Sequence, residues 1–538
     1  MNKIATYLNE HVLGEVSSLK AVRRRYSQDG SILSIVPELV VFAKVTNDIR
    51  KVARFTWQLA EKGHAIGMTV RGNGTDTTGA AIGKGIIINT SAHLNNILRV
   101  APKERLVHVQ AGANVRAVND SLIWNGLTVL SYPTSADYST IGGAVANNAS
   151  GESGTIGDAV ERLEVVLANG DVIEVGKVSK REVGQKQGLQ TLEGEIYRKL
   201  EGIIEDNPEV IRSLENSRDH AGYASIAQVK AKDGSMNLTP LFIGSQGTLG
   251  IISEIVLRAE FNFTSQSILI ATLPGKELAR DVIDHIRQLD PAALEMIDGE
   301  LYVKAIEKGK KYTALGTNSV THEGAVLYVA FNQSNDRAQG HKLKKLKKIL
   351  TKQNIHFLTN EQVALEELAA LRDVSSVVSL NVTDTEALPP VIDGAYIPAD
   401  RHEEFGKLLA ELASKLHIAL PTRTNVLTGT VSVYPTLKLG ELGDKQKVFR
   451  LMSEYSALVT KTGGAFIGED GEGRLKANAA WAQLDDDVKH VYEQVRAAFD
   501  PLGTLNPGVK QPGDVRRLAE SLRSSHDTAD LLDRGMSR

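Results

Sequence analysis

A glycine-rich segment at residues 71–79, Arg-Gly-Asn-Gly-Thr-Asp-Thr-Thr-Gly, has the composition of an anion-binding loop. Glycines let backbone amides approach an anion closely, and threonine hydroxyl groups add further donors. The glycine spacing is not that of a Walker loop, and a strand follows where the dinucleotide-binding fingerprint needs a helix. Taken alone, the segment is equally consistent with a structural turn. The residues that we expect to contact a bound group are Arg71, Gly72, Asn73, Gly74, Thr75, Asp76 and Thr78.

Two further segments, at residues 133–151 and 244–252, are also rich in Gly, Ala, Ser and Thr. Such residues give a surface that a ligand can approach closely, and two adjacent asparagines could read the polar edge of a ring. Three separate loops of this kind predict an extended, flat, multiply charged ligand, which a dinucleotide cofactor fits better than a lone phosphate. The predicted contact residues here are Pro133, Ser135, Thr140, Gly142, Gly143, Asn147, Asn148, Gly151, Gly247, Ile251 and Ile252.

Alternating helices and strands must position these loops. Hydrophobic periodicity predicts helices over 47–62, 114–125, 195–206, 275–289 and 338–353, and strands over 86–88, 267–273 and 325–331. The run 163–175 predicts a hairpin in which Asn169-Gly170 forms a type I′ turn. In the basic stretch 342–350 the leucines recur at helical spacing, which favours a surface helix with a solvated basic face over membrane or partner docking.

The composition limits the classes of protein to which the chain can belong. It has 538 residues, 62 Lys+Arg, 65 Asp+Glu and a net charge of -3, typical of a globular protein rather than a nucleic-acid binder. At about 150 residues per domain the length predicts two to four domains. No run of 18 apolar residues and no secretory signal are found, so we expect a cytoplasmic protein without a transmembrane segment. The absence of cysteine excludes disulfides, cysteine-ligated clusters and a cysteine nucleophile.

The three loops, in this order and spacing, resemble the FAD-binding domain of the vanillyl-alcohol oxidase / p-cresol methylhydroxylase (PCMH) superfamily. Within it the chain is most similar to the D-lactate dehydrogenase / glycolate oxidase FAD-subunit branch. The resemblance begins at residues 24–29 and ends at residues 499–508, the latter including Asn506 as a further cofactor contact. It implies an α+β fold with a two-subdomain PCMH-type FAD-binding domain and an α+β C-terminal substrate (cap) domain.

The resemblance also implies the domain limits and the attachment of the cofactor. We expect the FAD-binding domain at 1–260, the cap domain at 261–484, a return to the FAD domain at 485–512 and a peripheral helix or loose tail at 513–538. Family members that bind FAD covalently carry a histidine where this chain has Thr75. Since there is also no cysteine for a second linkage, we expect FAD to be bound non-covalently.

On the substrate side the resemblance is partial. Arg372, in Leu371-Arg372-Asp373, matches the family's arginine that binds a substrate carboxylate, although a surface helical arginine is an equal alternative. The family's catalytic histidine is Asp470 here, in an otherwise intact Gly-rich frame over 468–476. A carboxylate can act as a base if burial raises its pKa, and Glu469 is a second candidate.

The residues that hold a divalent metal in the family are also replaced. Asn425 and Ser432 stand where the two metal-binding histidines would be, and neither is a good ligand for a zinc-like ion. The site is therefore predicted to lack a metal.

The resulting hypothesis is an FAD-dependent oxidoreductase that oxidises a hydroxy acid or related alcohol by hydride transfer to the flavin. Two alternatives remain: a flavin-binding assembly subunit that has lost catalysis, and a sugar-alcohol or aldonolactone oxidase of the same superfamily. The partner is a small-molecule substrate, and oxygen, a quinone or a partner protein must reoxidise the flavin. The residues leave open whether the chain forms a homo-oligomer.

Overall fold

A computed structural model describes residues 2–129, 131–133, 135–151, 154–218, 222–262, 266–307, 309–315, 320–332, 336–374 and 388–525. The chain folds as α+β, as predicted. The strands, in chain order, are β1 (Glu15–Ser17), β2 (Leu39–Phe42), β3 (Met68–Arg71), β4 (Ile86–Asn89), β5 (Ile97–Ala101), β6 (Leu106–Gln110), β7 (Leu127–Thr128), β8 (Val160–Val166), β9 (Val172–Val175), β10 (Lys177–Val178), β11 (Met236–Asn237), β12 (Ile251–Arg258), β13 (Glu260–Phe261), β14 (Ser267–Leu273), β15 (Ala293–Asp298), β16 (Ala325–Phe331), β17 (His356–Thr359), β18 (Ala395–Tyr396), β19 (Thr422–Asn425) and β20 (Thr430–Val433).

The α-helices lie between and around these strands. They are α1 (Asn2–His11), α2 (Lys20–Arg25), α3 (Thr46–Glu61), α4 (Val115–Ile123), α5 (Ile141–Asn147), α6 (Lys180–Gln187), α7 (Leu192–Asp206), α8 (Pro208–Leu214), α9 (Thr239–Phe242), α10 (Lys276–Arg287), α11 (Gly299–Glu307), α12 (Asp336–Lys352), α13 (Leu365–Arg372), α14 (His402–Leu416), α15 (Leu442–Lys461), α16 (Ala477–Trp481), α17 (Asp486–Phe499) and α18 (Val515–Glu520). The predicted helices and strands are confirmed to within a few residues at their ends.

Three sheets carry most of the strands. The first has the order β1-β2-β4-β3, in which β2, β4 and β3 run parallel and β1 pairs antiparallel at the edge. The central β4 is buried along its whole length, as expected for a strand that is covered on both faces. The second is antiparallel, with the order β5-β6-β12-β8-β9, and the third is antiparallel with the order β17-β14-β16-β15-β19-β20-β18.

The C-terminal part of the chain returns to the first two sheets. Helix α17 packs on α7, and its Phe499 ring meets Phe242 edge-on at 5.4 Å. The next segment runs beside the start of β3, where the Met68 amide donates to Thr504 and the Asn506 amide donates to Met68. The Asn506 side chain also donates to the Ala80 carbonyl, just after the first glycine-rich loop. The domain limits at 260, 484 and 512 stay predictions.

One local prediction is wrong. The Asn169-Gly170 connection is not a type I′ turn, because only Gly170 has a positive φ (+86°) and the pairing of Val166 with Val172 leaves residues 167–171 in the loop. Of the two alternatives for the tail, its start is a peripheral helix, α18, which has no buried residues. The chain after it is tied down, since Arg523 donates its amide to Ile32 and Ser34 donates to Ser521. Residues 526–538 of the predicted tail lie outside the described residues.

The basic stretch 342–350 lies on α12, which confirms the predicted surface helix. Leu343, Leu346 and Leu350 are buried against the third sheet, whereas the lysines between them point outward. Across the ranges that the structure describes, no helix is both long and apolar enough to cross a membrane.

Candidate active site

The glycine-rich loop begins where β3 ends, at the buried Arg71. The Arg71 guanidinium donates to the Gln28 carbonyl at 2.6 Å and stacks on the Tyr26 ring at 5.3 Å. Gly74 has a φ of +80°, and a Cβ there would lie 2.1 Å from the guanidinium. The Arg71 guanidinium therefore packs directly against the loop, and at position 74 only a glycine leaves room for this guanidinium.

The backbone of this loop presents donors that the protein does not use. The amides of residues 72–77 donate to no acceptor in the described part of the chain. The next amides are engaged, because Thr78 and Ala80 both donate to the Asp76 carboxylate. Successive backbone amides without a protein acceptor, at the edge of a cavity, are suited to oxygen atoms of a phosphate group.

Helix α5 lies opposite this loop. Its first turn contains two glycines, Gly142 and Gly143, that differ in role. Thr140 caps the helix by accepting from the Gly143 amide at 3.2 Å. A Cβ on Gly142 would lie 2.6 Å from the Ala111 Cβ and 2.7 Å from its carbonyl oxygen, so Gly142 allows close packing on the end of β6. A Cβ on Gly143 would meet only the Thr140 hydroxyl, at 3.0 Å. Gly143 therefore faces open space.

A narrow groove runs between these two segments and the start of β12. Gly247 lies on its third side with a φ of +72°, and a Cβ there would meet no atom within 4 Å. The predicted cofactor contacts that line the groove are Arg71, Gly72, Asn73, Gly74, Thr75, Asp76, Thr140, Gly142, Gly143, Asn147, Gly247, Ile251 and Ile252.

Three predicted cofactor contacts are not among the described residues that line the groove or the adjoining chamber, and their role toward a cofactor stays a prediction. Thr78 is fully buried, where its hydroxyl bonds to Asp76 and Gln246. Asn148 ends α5 with a φ of +51° and accepts from the Gly157 amide. Asn506 donates to the carbonyls of Ala80 and Gln246. These side chains form hydrogen bonds within the protein, and those bonds hold the loops together.

A larger chamber opens from the groove toward the third sheet. Thr75, Asp76, Gly143 and Asn147 line both spaces, so the two adjoin. The remaining predicted residues line the chamber: Pro133, Ser135, Gly151, Arg372, Glu469 and Asp470.

One wall of the chamber is a row of side chains across four strands. Tyr328, Glu295, Asn425 and Thr430 are successive partners on β16, β15, β19 and β20. Directly paired residues share a face of a sheet, and Glu295, Asn425 and Thr430 all line the chamber. Arg423, two residues before Asn425 on β19, lies on the same face and also lines the chamber.

Arg372 ends α13 and reaches this row. Its Nη2 donates to Glu295 Oε1 at 2.6 Å, its Nε contacts both carboxylate oxygens at 3.2 Å, and the guanidinium stacks on Tyr328 at 5.1 Å. Arg423 Nη2 donates to Glu295 Oε2 at 2.8 Å. Arg372 is therefore not a surface residue, and the carboxylate lies between two guanidinium groups.

Acidic groups form a second wall. Burial raises the pKa of Asp470 well above its usual 3.8, and the neighbouring Glu469 and Asp393 raise it further, while Lys476 opposes them. Burial likewise raises the pKa of Glu469. Asp470 has a φ of +62°, a strained conformation for a residue other than glycine. Such strain and such pKa shifts are typical of functional sites.

The Gly-rich frame around Asp470 is fixed to the cofactor loops. Gly473 donates its amide to Gln246 at 2.9 Å, and a Cβ on Gly473 would lie 2.1 Å from the Thr78 hydroxyl. On the other side, Lys476 Nζ donates to Asp393, which also accepts from Thr77. The frame therefore fixes Asp470 in the lining of the chamber.

Polar residues stand at the two positions where the family has metal-binding histidines. Asn425 and Ser432 both line the chamber, and the Asn425 side chain accepts from the amides of Leu427 and Thr428. Within the described residues, no three His, Asp or Glu side chains are grouped so as to hold a metal ion. Metal independence stays a prediction.

Glu295, Arg423, Asp393 and Lys476 were not predicted as site residues from the sequence. A charged residue within the apolar strand Ala293–Asp298 was a usable signal, since a buried carboxylate needs a partner. Alternation along β19 could also have placed Arg423 beside Asn425, whereas nothing in the sequence pairs Asp393 with Lys476.

These features fit FAD. The unengaged amides of 72–77 suit the pyrophosphate, and the positions of Gly143 and Gly247 leave space that a side chain would fill. FAD held along the groove would supply its redox chemistry to the adjoining chamber, which Arg372, Arg423 and Asp470 line.

Comparison with known proteins supports the same assignment. Residues 37–176 match the FAD binding domain family, and residues 267–509 match the C-terminal domain of FAD linked oxidases. The fold is similar to that of 4-ethylphenol oxidase from Gulosibacter chungangensis, with a TM-score of 0.68 at 13% identity over 96% of this chain and 98% of that one.

Curated relatives are about one quarter identical to this chain in sequence. D-2-hydroxyglutarate dehydrogenase of Haemophilus influenzae is 24% identical over 93% of this chain, which spans only 50% of that relative. Glycolate oxidase subunit GlcD of Bacillus subtilis is 24% identical, covering 90% of both chains. D-lactate dehydrogenase of Archaeoglobus fulgidus is 25% identical over 82% of this chain and 86% of the relative. The resemblance inferred from the glycine loops is thus confirmed, and the chain belongs to the FAD-linked oxidases, with an FAD binding domain followed by the C-terminal domain of that family.

Proposed function

We propose that the chain is an FAD-dependent oxidoreductase that oxidises a 2-hydroxy acid to the 2-oxo acid. One observation carries this proposal: Arg372, Arg423 and Asp470 line the same chamber, which adjoins the groove. Guanidinium groups suit a carboxylate, and a carboxyl group in the same chamber suits the proton of a hydroxyl group. The relatives, a D-2-hydroxyglutarate dehydrogenase, a glycolate oxidase subunit and a D-lactate dehydrogenase, support the same substrate class.

Arg372 is the group that we assign to the substrate carboxylate. An arginine can form two parallel hydrogen bonds to a carboxylate, which fixes the orientation of the adjacent α-carbon. The stacking of Arg372 on Tyr328 limits the freedom of the guanidinium before the substrate arrives. Little conformational entropy then remains to be lost on binding.

Asp470 is the group that we assign to the hydroxyl proton, with Glu469 as its alternative. The reaction removes one hydride from the α-carbon and one proton from the hydroxyl group. Bound FAD supplies the hydride acceptor. A carboxylate whose pKa is raised is a stronger base than an aqueous one, and burial among other acids raises the pKa of Asp470.

Two finer features belong to this proposal. We expect FAD to be held non-covalently, because Thr75 stands where covalent members have a histidine. We expect oxygen, a quinone or a partner protein to reoxidise the flavin, and the cytoplasm to be the compartment.

The test is anaerobic mixing of the FAD-loaded protein with a panel of compounds while the flavin absorbance is recorded. The panel contains D- and L-2-hydroxy acids, polyols and aldonolactones. We expect a 2-hydroxy acid to bleach the flavin, at a rate independent of chelators. Bleaching by polyols or lactones alone would favour a sugar oxidase, and no bleaching by any compound would favour a non-catalytic flavin-binding subunit.

A further inference from the structure

We propose that Glu295 is a specificity-determining residue that limits how much negative charge a substrate can bring to the arginine wall. The inference rests on the proposed function in assigning the chamber to an anionic substrate. It adds a residue that acts on the substrate from within the same wall as the two arginines.

The geometry places Glu295 within the binding wall rather than behind it. Its side chain is only 2% exposed, yet it lines the chamber together with Arg372 and Arg423, whose side chains are each 15% exposed. One carboxylate oxygen lies 2.6 Å from Arg372 Nη2, and the other lies 2.8 Å from Arg423 Nη2. A ligand that contacts either arginine from the chamber therefore approaches the Glu295 carboxylate as well.

The charge on Glu295 is permanent near neutral pH. Burial would raise its pKa, but Arg423 and Arg372 outweigh burial and lower it from 4.5 to about 2. In a wall of low dielectric, a fixed negative charge beside the binding groups opposes every further negative charge at short range. The opposition is stronger for a dianion than for a monoanion, because each additional ligand charge interacts with the same carboxylate.

The row of residues across the sheet also fixes where Glu295 lies. Its direct neighbours on β16 and β19 are Tyr328 and Asn425, so it sits in the middle of the wall and cannot turn away without disturbing both. A second anionic group of a ligand that extends along this row toward Thr430 would pass over the carboxylate. Removing its charge should therefore relax the selection against dianions.

The test compares the binding of two acids that lack a hydroxyl group and cannot be oxidised. Propionate, a monoanion, and succinate, a dianion, are titrated into the FAD-loaded protein at pH 7.5, with perturbation of the flavin spectrum and thermal stabilisation as readouts. In Glu295→Gln we expect the ratio of succinate to propionate affinity to rise at least tenfold over the parent. Because neither acid is turned over, this result does not depend on whether a 2-hydroxy acid reduces the flavin.

Three variants separate charge from shape. Glu295→Asp keeps the charge but shortens the side chain, so both affinities should fall while the ratio stays within twofold of the parent. Thr272→Val, on β14 of the same sheet but outside the chamber lining, should leave the ratio unchanged. The double variant Glu295→Gln with Arg423→Gln removes one charge of each sign and should return the ratio to the parental value, which also covers the case in which Glu295→Gln alone does not fold.

The proposal fails if the ratio in Glu295→Gln equals that of the parent, or if the double variant differs from the parent tenfold or more. It also fails if neither acid binds to the parent or to any variant. A failure of the proposed function would look different: both acids would bind with the predicted ratios, but no 2-hydroxy acid would bleach the flavin.

Discussion

The side-chain carbonyl of Gln246 accepts a hydrogen bond from the Gly473 amide at 2.9 Å, which joins a loop of the cofactor groove to the frame that carries Asp470. The Gln246 amide nitrogen lies 3.0 Å from the Thr78 hydroxyl and 3.4 Å from the Asp470 carbonyl. A single buried side chain therefore ties the candidate base to the cofactor loops. The position of Asp470 relative to the flavin depends on this contact.

Gln246→Met should slow flavin reduction at least tenfold, because it keeps the length of the side chain but leaves the Gly473 amide without its acceptor. An unsatisfied buried amide also costs about 1–3 kcal/mol of stability. Stopped-flow absorbance measures the rate, and thermal unfolding measures the stability. The matched control is Gln339→Met, which alters a buried amide on α12 and should leave the reduction rate unchanged. An unchanged rate in a folded Gln246→Met protein would contradict the coupling.

Gly143→Val and Gly142→Ala should fail in different ways. At Gly143 the new side chain enters the groove, so the protein should fold but lose FAD. At Gly142 even a methyl group meets the Ala111 backbone at 2.7 Å, so stability should fall by about 1–3 kcal/mol. Flavin content after purification and the thermal midpoint distinguish the two. Normal flavin content in a folded Gly143→Val protein would show that the cofactor does not occupy this part of the groove.

Denaturation by acid should release intact FAD into the supernatant, since Thr75 cannot form the bond that a histidine forms in covalent members. The measurement is flavin absorbance in the supernatant and in the protein pellet after precipitation. Yellow colour that stays with the pellet would refute non-covalent binding.

The rate of flavin reduction should rise with pH. Burial and the nearby acids raise the pKa of Asp470, so the carboxyl group is protonated at low pH and can accept the hydroxyl proton only as the pH passes its pKa. Asp470→Asn should slow reduction by roughly 100- to 10,000-fold and flatten the profile, without loss of FAD. If Asp470→Asn and Glu469→Gln both react at the parental rate, neither carboxylate is the base.

Glu295 should stabilise the fold above pH 5 and lose this effect in acid. Its folded pKa of about 2 lies below the usual 4.5, so the unfolded chain binds the proton more readily and stability falls as the pH drops from about 5 toward 2. The full effect corresponds to about 3 kcal/mol. Chemical unfolding of the parent and Glu295→Gln at pH 7 and pH 3 should show a difference that shrinks in acid. A difference that is the same at both values would contradict the assigned ionisation.

The sequence by itself determined the cofactor class and the departures from the family. Gly74 and Gly247 adopt a positive φ, and Gly143 leaves space that a side chain would fill. Each of these requirements is local, so the residue type alone indicates it. The replacement of histidines by Thr75 and Asp470 is likewise visible without a structure. Hydrophobic periodicity was sufficient for the main helices and strands, because each depends on contacts with one buried face.

Tertiary structure alone decided which polar residues face a ligand and which hold the protein together. Asn148 and Asn506 resemble cofactor contacts in sequence, but their hydrogen bonds to Gly157, Ala80 and Gln246 remove them from the groove. The turn at Asn169-Gly170 was mispredicted for a related reason, since the strand register rather than the dipeptide set the length of the loop.

The arginine wall could not be derived from the sequence. Glu295 is separated from Arg372 by 77 residues and from Arg423 by 128, so no local pattern links them. They meet because β15 lies beside β19 and across from the end of α13, and burial then requires each charge to have a partner of opposite sign. The sequence supplies the charged residues that can pair. The order of the strands in the sheet determines which of these residues meet.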